Sequence, residues 1–166
     1  MSDENDLREL SDEIPHMGGR VVVEVIRDGK NGPEVIQRSE ASNLIVTVGK
    51  KRMWKMTIGT STKLWRFMRL GKNSAAAGSG DTNLKTAITS TIKTVDSKTV
   101  DAGRTYKWII SYPSGGGSLS AAAIKEVILS DQKTTPGGSI LMRSVFATVA
   151  KTTADKLKLT YRARIT

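Results

Sequence analysis

Hydrophobic and polar residues alternate most cleanly at the C-terminal end of the chain. Leu157, Leu159, Tyr161, Ala163 and Ile165 fall on one side of an extended backbone, and Lys156, Lys158, Thr160, Arg162 and Arg164 on the other. Successive side chains of a strand point to opposite faces, so this period of two predicts a strand with one buried and one wetted face. The preceding run, 139–149, predicts a second strand, and one short polar turn joins the two. Residues 137–166 are therefore expected to form an antiparallel hairpin with a basic outer face. Arg20–Arg27, rich in Val and Ile, predicts another strand. Asp28–Gly32 is a turn signal and Pro33–Arg38 a return strand, which together predict a hairpin over residues 20–38. Further strands are predicted at Leu64–Leu70, ending at Gly71, and at Thr86–Val95, Arg104–Tyr112 and Ala121–Leu129. The last of these has helical propensity as well, and its strand neighbours decide the reading.

One helix is predicted, over Asn43–Met56. Asn43 is a suitable N-cap, Leu44, Val48, Met53 and Met56 share a face, and Lys50, Lys51, Arg52 and Lys55 lie toward the end where the helix dipole favours cations. Residues 72–80 are a low-complexity surface loop, Pro113–Gly117 a flexible loop, and Asp131–Gly138 a turn. Ahead of the first strand, residues 1–19 read as an arm: Asp6–Ile14 has the spacing of a short helical turn, Pro15 stops it, and Gly18–Gly19 is a flexible joint. Eight or so strands at short intervals with one helix predict a mainly β fold. The expected architecture is a single antiparallel β-sandwich or jelly-roll-like domain over 20–166, its main strands lying in 64–166, with an extended N-terminal arm.

A chain of 166 residues is long enough for one domain with a sizeable core. Charge changes the picture more than composition does. The formal net charge is +10, yet residues 1–19 carry Asp3, Glu4, Asp6, Glu9, Asp12 and Glu13 against Arg8 alone, a net −5. The remainder is then +15. An acidic arm on a basic body can meet its own body, a neighbouring copy, or water. There is no cysteine, which excludes disulfides and thiolate metal sites. No apolar run reaches the ~18 residues of a membrane span. The acidic first residues carry no secretory or transit pattern, so the expectation is a product made in the cytoplasm.

Catalytic candidates are few. His16 is the sole histidine and lies in the arm. No serine has a partnered base or a nucleophile-elbow spacing, and the glycine clusters at 78–80 and 115–117 lack the Lys-Ser/Thr that a phosphate loop needs. Asp81 and Glu126 are the most isolated carboxylates, and a structural hydrogen bond or ion pair accounts for either better than general acid catalysis does. No enzyme, cofactor or metal is expected. Two stretches interleave cations with aromatics: Lys50-Lys51-Arg52-Met53-Trp54-Lys55 and Trp65-Arg66-Phe67-Met68-Arg69. Such interleaving suits nucleic acid, through phosphates and base stacking. It equally suits aromatics pointing inward beneath outward cations, or a positive face that meets an acidic protein surface.

Several short segments together resemble the small virion structural proteins of tailed bacteriophages and related viruses, and domains of their tail and fibre proteins. They are Asn43-Leu44, Gly71, Asp81-Thr82-Asn83-Leu84, Trp108-Ile109-Ile110-Ser111-Tyr112, Ile124-Lys125-Glu126-Val127-Ile128-Leu129, Met142-Arg143-Ser144-Val145-Phe146 and Lys151-Thr152-Thr153-Ala154-Asp155-Lys156-Leu157. The similarity covers about residues 40–166. It departs from the family at Val127-Ile128, where an apolar-glycine pair is common. The resemblance implies an assembly component of the virion, a capsid decoration or head–tail protein. Its implied partners are major capsid or other virion proteins and further copies of itself, a trimer being the first guess. The candidate interface residues are Asp3, Glu4, Asp6, Glu9, Asp12, Glu13, Lys50, Lys51, Arg52, Trp54, Trp65, Arg162 and Arg164. Two alternatives stay open. A receptor- or glycan-binding fibre domain would expose Trp65, Trp108 or Tyr112, and a nucleic-acid-binding module would bind DNA with a steep salt dependence.

Overall fold

The computed structural model describes residues 17–57, 59, 65–101, 105–115, 119, 122–133 and 140–165. They are mainly β, with one short helix and one antiparallel, curled sheet. The strands are β1 (Met17–Gly29), β2 (Gly32–Ile45), β3 (Phe67–Gly71), β4 (Lys93–Thr94), β5 (Ser97–Asp101), β6 (Thr105–Tyr112), β7 (Ile124–Ser130), β8 (Ile140–Val149) and β9 (Asp155–Ile165). Helix α1 (Thr47–Thr57) lies between β2 and β3. The order across the sheet is β4-β3-β7-β8-β2-β1-β9-β6-β5.

The first hairpin forms where the turn signal predicts it, with Gly29 paired to Gly32 around Lys30–Asn31. Gly32 has φ of 114°, a left-handed conformation that costs glycine little. Both arms run further than expected. β1 begins at Met17, so Gly18 and Gly19 are strand residues paired with Arg164 and Ala163, not a flexible joint. β2 continues to Ile45, so Asn43 does not cap the helix. Its amide is buried in the sheet and donates to the Arg162 carbonyl at 3.3 Å. The helix starts at Thr47 instead, which leaves Leu44 and Val48 exposed while Met53 packs on the core.

The two closing strands appear within a residue of their expected bounds, but they do not form a hairpin. β8 pairs with β7 and β2, β9 pairs with β1 and β6, and the whole β1–β2 hairpin lies between them. Alternation within a strand specifies its faces, not its neighbours, so this insertion left no local mark. Thr86–Val95 is mostly irregular: Ala87 makes a single bridge to Gly71, Ser90 turns the chain at φ 59°, and only Lys93–Thr94 joins the sheet. The polar stretch after it contains strand β5.

The curl brings the two halves of the sheet face to face. β2 makes the join, pairing with β1 along most of its length and with β8 only at Leu44 and Ile45. Val21, Val23 and Val25 of β1 and Leu157, Leu159 and Tyr161 of β9 enter one core with Met68 and Leu70 of β3 and Val127 and Leu129 of β7. Tyr161 spans that core. Its hydroxyl donates to the Val127 carbonyl at 3.1 Å and lies 3.0 Å from Ser144 Oγ, and burial pushes the phenol well above its usual range. At the far ends of the sheet the chain ties the curl together: Val95 N–H donates to the Arg66 carbonyl beside β3, and Asp96 N–H to Ile109 on β6.

Candidate functional site

Two charged arrangements stand out, one buried and one exposed. The buried one is centred on Arg143 of β8, which is fully inaccessible in the middle of an apolar strand. Its guanidinium satisfies five donor directions. Nε donates to Glu126 Oε2 at 2.9 Å, Nη1 to Asp81 Oδ2 at 3.0 Å and to the Ala76 carbonyl at 3.2 Å, and Nη2 to the Ala75 carbonyl at 3.1 Å, with Nη2 also 2.7 Å from Glu126 Oε2. Glu126, equally buried on β7, accepts in addition the backbone N–H groups of Asn73, Lys85 and Thr86. Burial raises the Asp81 carboxyl, but the Gly78 N–H, Lys85 and Arg143 outweigh it and hold the group below its usual range. The stretch 72–86, expected to contain only a surface loop and the start of a strand, is thus clamped over the outer face of β7 and β8. Gly71 belongs to this arrangement, since a Cβ there would collide with the Glu126 side chain.

Each of the three charged groups in this clamp has partners among the described residues. The arrangement is a staple, and the expectation that structural ion pairs explain Asp81 and Glu126 holds. A smaller staple closes the β8–β9 connection. Asp155 is buried, accepts Arg27 Nε at 2.8 Å and both the N–H and hydroxyl of Thr152, and is thereby held far below the usual carboxylate range, Arg27 contributing most. Next to it, buried Lys151 donates to the carbonyls of Thr152 and Asp155 at 3.1 and 3.0 Å.

The exposed arrangement lies on the outer face of β1, β9 and β6. Because Val21, Tyr161 and Trp108 point inward in one cross-strand row, Arg20, Arg162 and Lys107 point outward in the adjacent row, in direct register. Arg164 stands beside Gly18 and Thr105 two residues along, and Lys158 lies two rows the other way, between Glu24 and Ser111. Arg20 is paired with Glu40, Arg38 with Glu40 and, at 3.7 Å, with Glu24, and Lys156 with Asp28 at 2.8 Å. Among the described residues no carboxylate lies within ion-pair distance of Lys107, Lys158, Arg162 or Arg164.

Of the residues singled out in the sequence, Arg162 and Arg164 stand on this face, and Lys50 and Lys51 are exposed on α1. The structure does not bring the two pairs onto one strand or one row. Arg52 is engaged with buried Asp131 at 2.7 Å. Trp65 is buried, as are Trp108 and Tyr112, which removes the exposed aromatics that a glycan-binding face was expected to show. Phe67 is buried under Arg66, whose guanidinium sits 5.5 Å from the ring centre, so in this stretch the aromatics go inward and a cation covers them. Asp3, Glu4, Asp6, Glu9, Asp12, Glu13 and His16 lie outside the described residues, as does the Trp54 side chain. Lys158 shares this face with Arg162 as the alternation predicts, whereas sequence reasoning missed Lys107, because only the β9–β6 register places it beside Arg162. Arg143 carried a legible signal, a lone arginine inside an apolar run.

Among the described residues no group of three or more His, Cys, Asp or Glu side chains is placed to hold a metal. None of the described helices is long and apolar enough to cross a membrane. In comparisons with known proteins, no family model, curated protein or solved structure matches the chain.

Proposed function

We propose that the protein is a non-enzymatic structural component of a virus particle, a capsid decoration or head–tail protein that binds neighbouring subunits and acts as a homo-oligomer, with a trimer as the first arrangement to test. The observation that carries this reading is the uncompensated cation row on β9 and β6. Like charges in direct cross-strand register repel, and a surface that retains them is suited to meeting an acidic partner. The acidic residues at the start of the chain supply such a surface in every neighbouring copy. The short resemblances to virion proteins supply the setting: assembly in the host cytoplasm and residence on the particle. In this reading the curled sheet is sandwich-like or jelly-roll-like, with residues 1–16 as an arm. Burial of Trp65, Trp108 and Tyr112 counts against the fibre-type alternative.

The test is the mass of the purified full chain by analytical ultracentrifugation, together with co-sedimentation with undecorated shells of tailed bacteriophages. The expected result is an oligomer that sediments with shells at about 50 mM salt and is weakened at about 500 mM, where the screening length falls to a few ångströms. A chain that stays monomeric and leaves shells bare would overturn the proposal. Tight, salt-dependent binding to DNA instead would favour a nucleic-acid-binding module.

A further inference from the structure

The tip of the β1–β2 hairpin carries a chemistry that neither the core nor the cationic face uses. Arg27 is the last residue of β1 to pair with β9, and every residue from Arg27 to Ile36 is exposed, so the tip stands clear of the sheet. The Asp28–Lys156 ion pair, at 2.8 Å, is its outermost tie to β9 among the described residues. Opening the tip beyond that pair breaks no ladder but its own, and exposed ends of this kind fray at little cost.

Asn31 stands at this tip and is followed by Gly32. The side-chain amide of an asparagine can be attacked at Cγ by the backbone nitrogen of the next residue. Three things ordinarily prevent this: a side chain on the next residue that crowds the ring, hydrogen bonds that hold the amide away, and a buried, rigid backbone. None of them operates at Asn31. Gly32 has no side chain, and a Cβ placed there would meet nothing within 4 Å, so the space around the attacking nitrogen is open. Gly32 already holds a φ of 114°, and the freedom of glycine lets the turn rearrange toward the attacking geometry. The Asn31 amide has no hydrogen-bond partner among the described residues.

The other asparagines among the described residues are each blocked. Asn43 is buried in β2, donates to the Arg162 carbonyl and is followed by Leu44. Asn73 accepts the Ala75 N–H at 2.7 Å through one end of its amide and donates to Thr86 Oγ1 at 3.4 Å through the other. Asn83 accepts the N–H of Leu84 at 2.9 Å, so the nitrogen that would attack is committed as a donor, and it belongs to a residue whose branched side chain is fixed in the fold.

We infer that Asn31 is a site of spontaneous intramolecular deamidation. The Gly32 nitrogen gives up its proton to hydroxide and bonds to Asn31 Cγ. The Cγ–Nδ2 bond breaks, the side-chain nitrogen leaves as ammonia, and a cyclic imide remains. Water then opens the ring at either of its two carbonyls. Opening at the backbone carbonyl leaves an isoaspartate, with the main chain running through the former side chain, and opening at Cγ leaves an ordinary aspartate. Nothing is oxidised or reduced. Either product puts a new carboxylate beside Lys30. Isoaspartate also lengthens the turn by a methylene, which the pairing of Gly29 with Gly32 cannot absorb. The ladders from Arg27 inward are untouched, so the change marks the tip alone and accumulates with the age of the molecule. It is independent of what the protein assembles with.

The test follows the full native chain through days at body temperature in mildly alkaline buffer made with heavy-oxygen water. Peptide mapping by mass spectrometry is expected to find the heavy-oxygen product at Asn31, formed at least about tenfold faster than at Asn43, Asn73 or Asn83. Isoaspartate should be the larger share, labelled by an isoaspartyl methyltransferase, and the rate should rise with pH because the attacking nitrogen must first lose its proton. Asn31→Gln, whose longer side chain has to close a larger ring, is expected to lose the product while melting at the temperature of the native chain. An Asn31 that stays intact, conversion at Asn73 that keeps pace with it, or a product made of ordinary aspartate alone (the mark of direct hydrolysis without a ring) would overturn the assignment.

Discussion

Arg143 shows how much one residue decides. Its side chain is enclosed by two carboxylates and two backbone carbonyls, and through Glu126 it is coupled to three backbone N–H groups of the loop above it. A buried ion pair contributes little net stability relative to a well-packed apolar core, because desolvation offsets the attraction. Removing one partner is different, since the other is left buried and uncompensated. Arg143→Met is therefore expected to cost about 3–5 kcal/mol in urea denaturation, a large part of the 5–15 kcal/mol that holds a typical domain together. Arg143→Lys should cost less, because the charge survives while the planar fork that serves both carboxylates is lost. Replacing Glu126 as well should not restore stability here. That change would orphan the N–H groups of Asn73, Lys85 and Thr86, at about 1–3 kcal/mol for each one left buried. A double variant as stable as the native chain would show that the staple is dispensable.

At the scale of elements, the strands with strict alternation or strong β-branched content were legible: β1, β6, β7, β8 and β9 all lie where the pattern places them. What was not legible was adjacency. Nothing in Ile140–Val149 or Asp155–Ile165 says that another hairpin separates them, because pairing is decided by which buried faces can share a core. Thr86–Val95 misled for a related reason. Its Thr and Ile content suits a strand, but the segment is taken up by the cover over Arg143, with Thr86 and Lys85 donating to Glu126 and Thr91 to the Ile88 carbonyl. The cationic face was half legible, since Arg162 and Arg164 follow from alternation in β9, whereas Lys107 joins them only through register. The helix offers a sharper test of element docking. Gly49 sits inside α1, where alanine would normally gain about 1 kcal/mol of helix propensity. A Cβ at this position would run into the Leu141 backbone on β8, whose carbonyl already accepts the Val46 N–H at 3.1 Å. Backbone cannot swing aside as a long side chain can, and overpacking of this kind typically costs about 1–3 kcal/mol. Gly49→Ala is thus expected to lower the thermal midpoint despite its propensity gain; an unchanged or raised midpoint would mean that the helix is held less tightly against β8.

The whole molecule is organised around its last strand. β9 is the last of the described strands, yet it lies between β1 and β6, and Asp155 at its start is tied to Arg27, a separation of 128 residues. Until β9 is in place, β1–β2 and β5–β6 share no hydrogen-bonded partner, and the core lacks Leu157, Leu159 and Tyr161, all fully buried. Burying such side chains is worth about 1.5–3 kcal/mol each. Their loss alone is then about 5–9 kcal/mol, comparable with the entire stability of an ordinary domain. A chain ending at Ala154 is therefore expected to show no cooperative thermal transition and no near-ultraviolet circular dichroism. A chain lacking residues 1–16 should keep both, because β1 starts at Met17. The same topology bears on rate. Contacts between strands this far apart in sequence pay most of their loop-closure entropy before any packing rewards it, so refolding should fall in the millisecond-to-second range of β folds with high contact order. Stopped-flow fluorescence from buried Trp65 and Trp108 would follow it. Refolding in microseconds, or a cooperative transition in the chain cut at Ala154, would mean that the two halves of the sheet fold independently and that β9 merely docks on them.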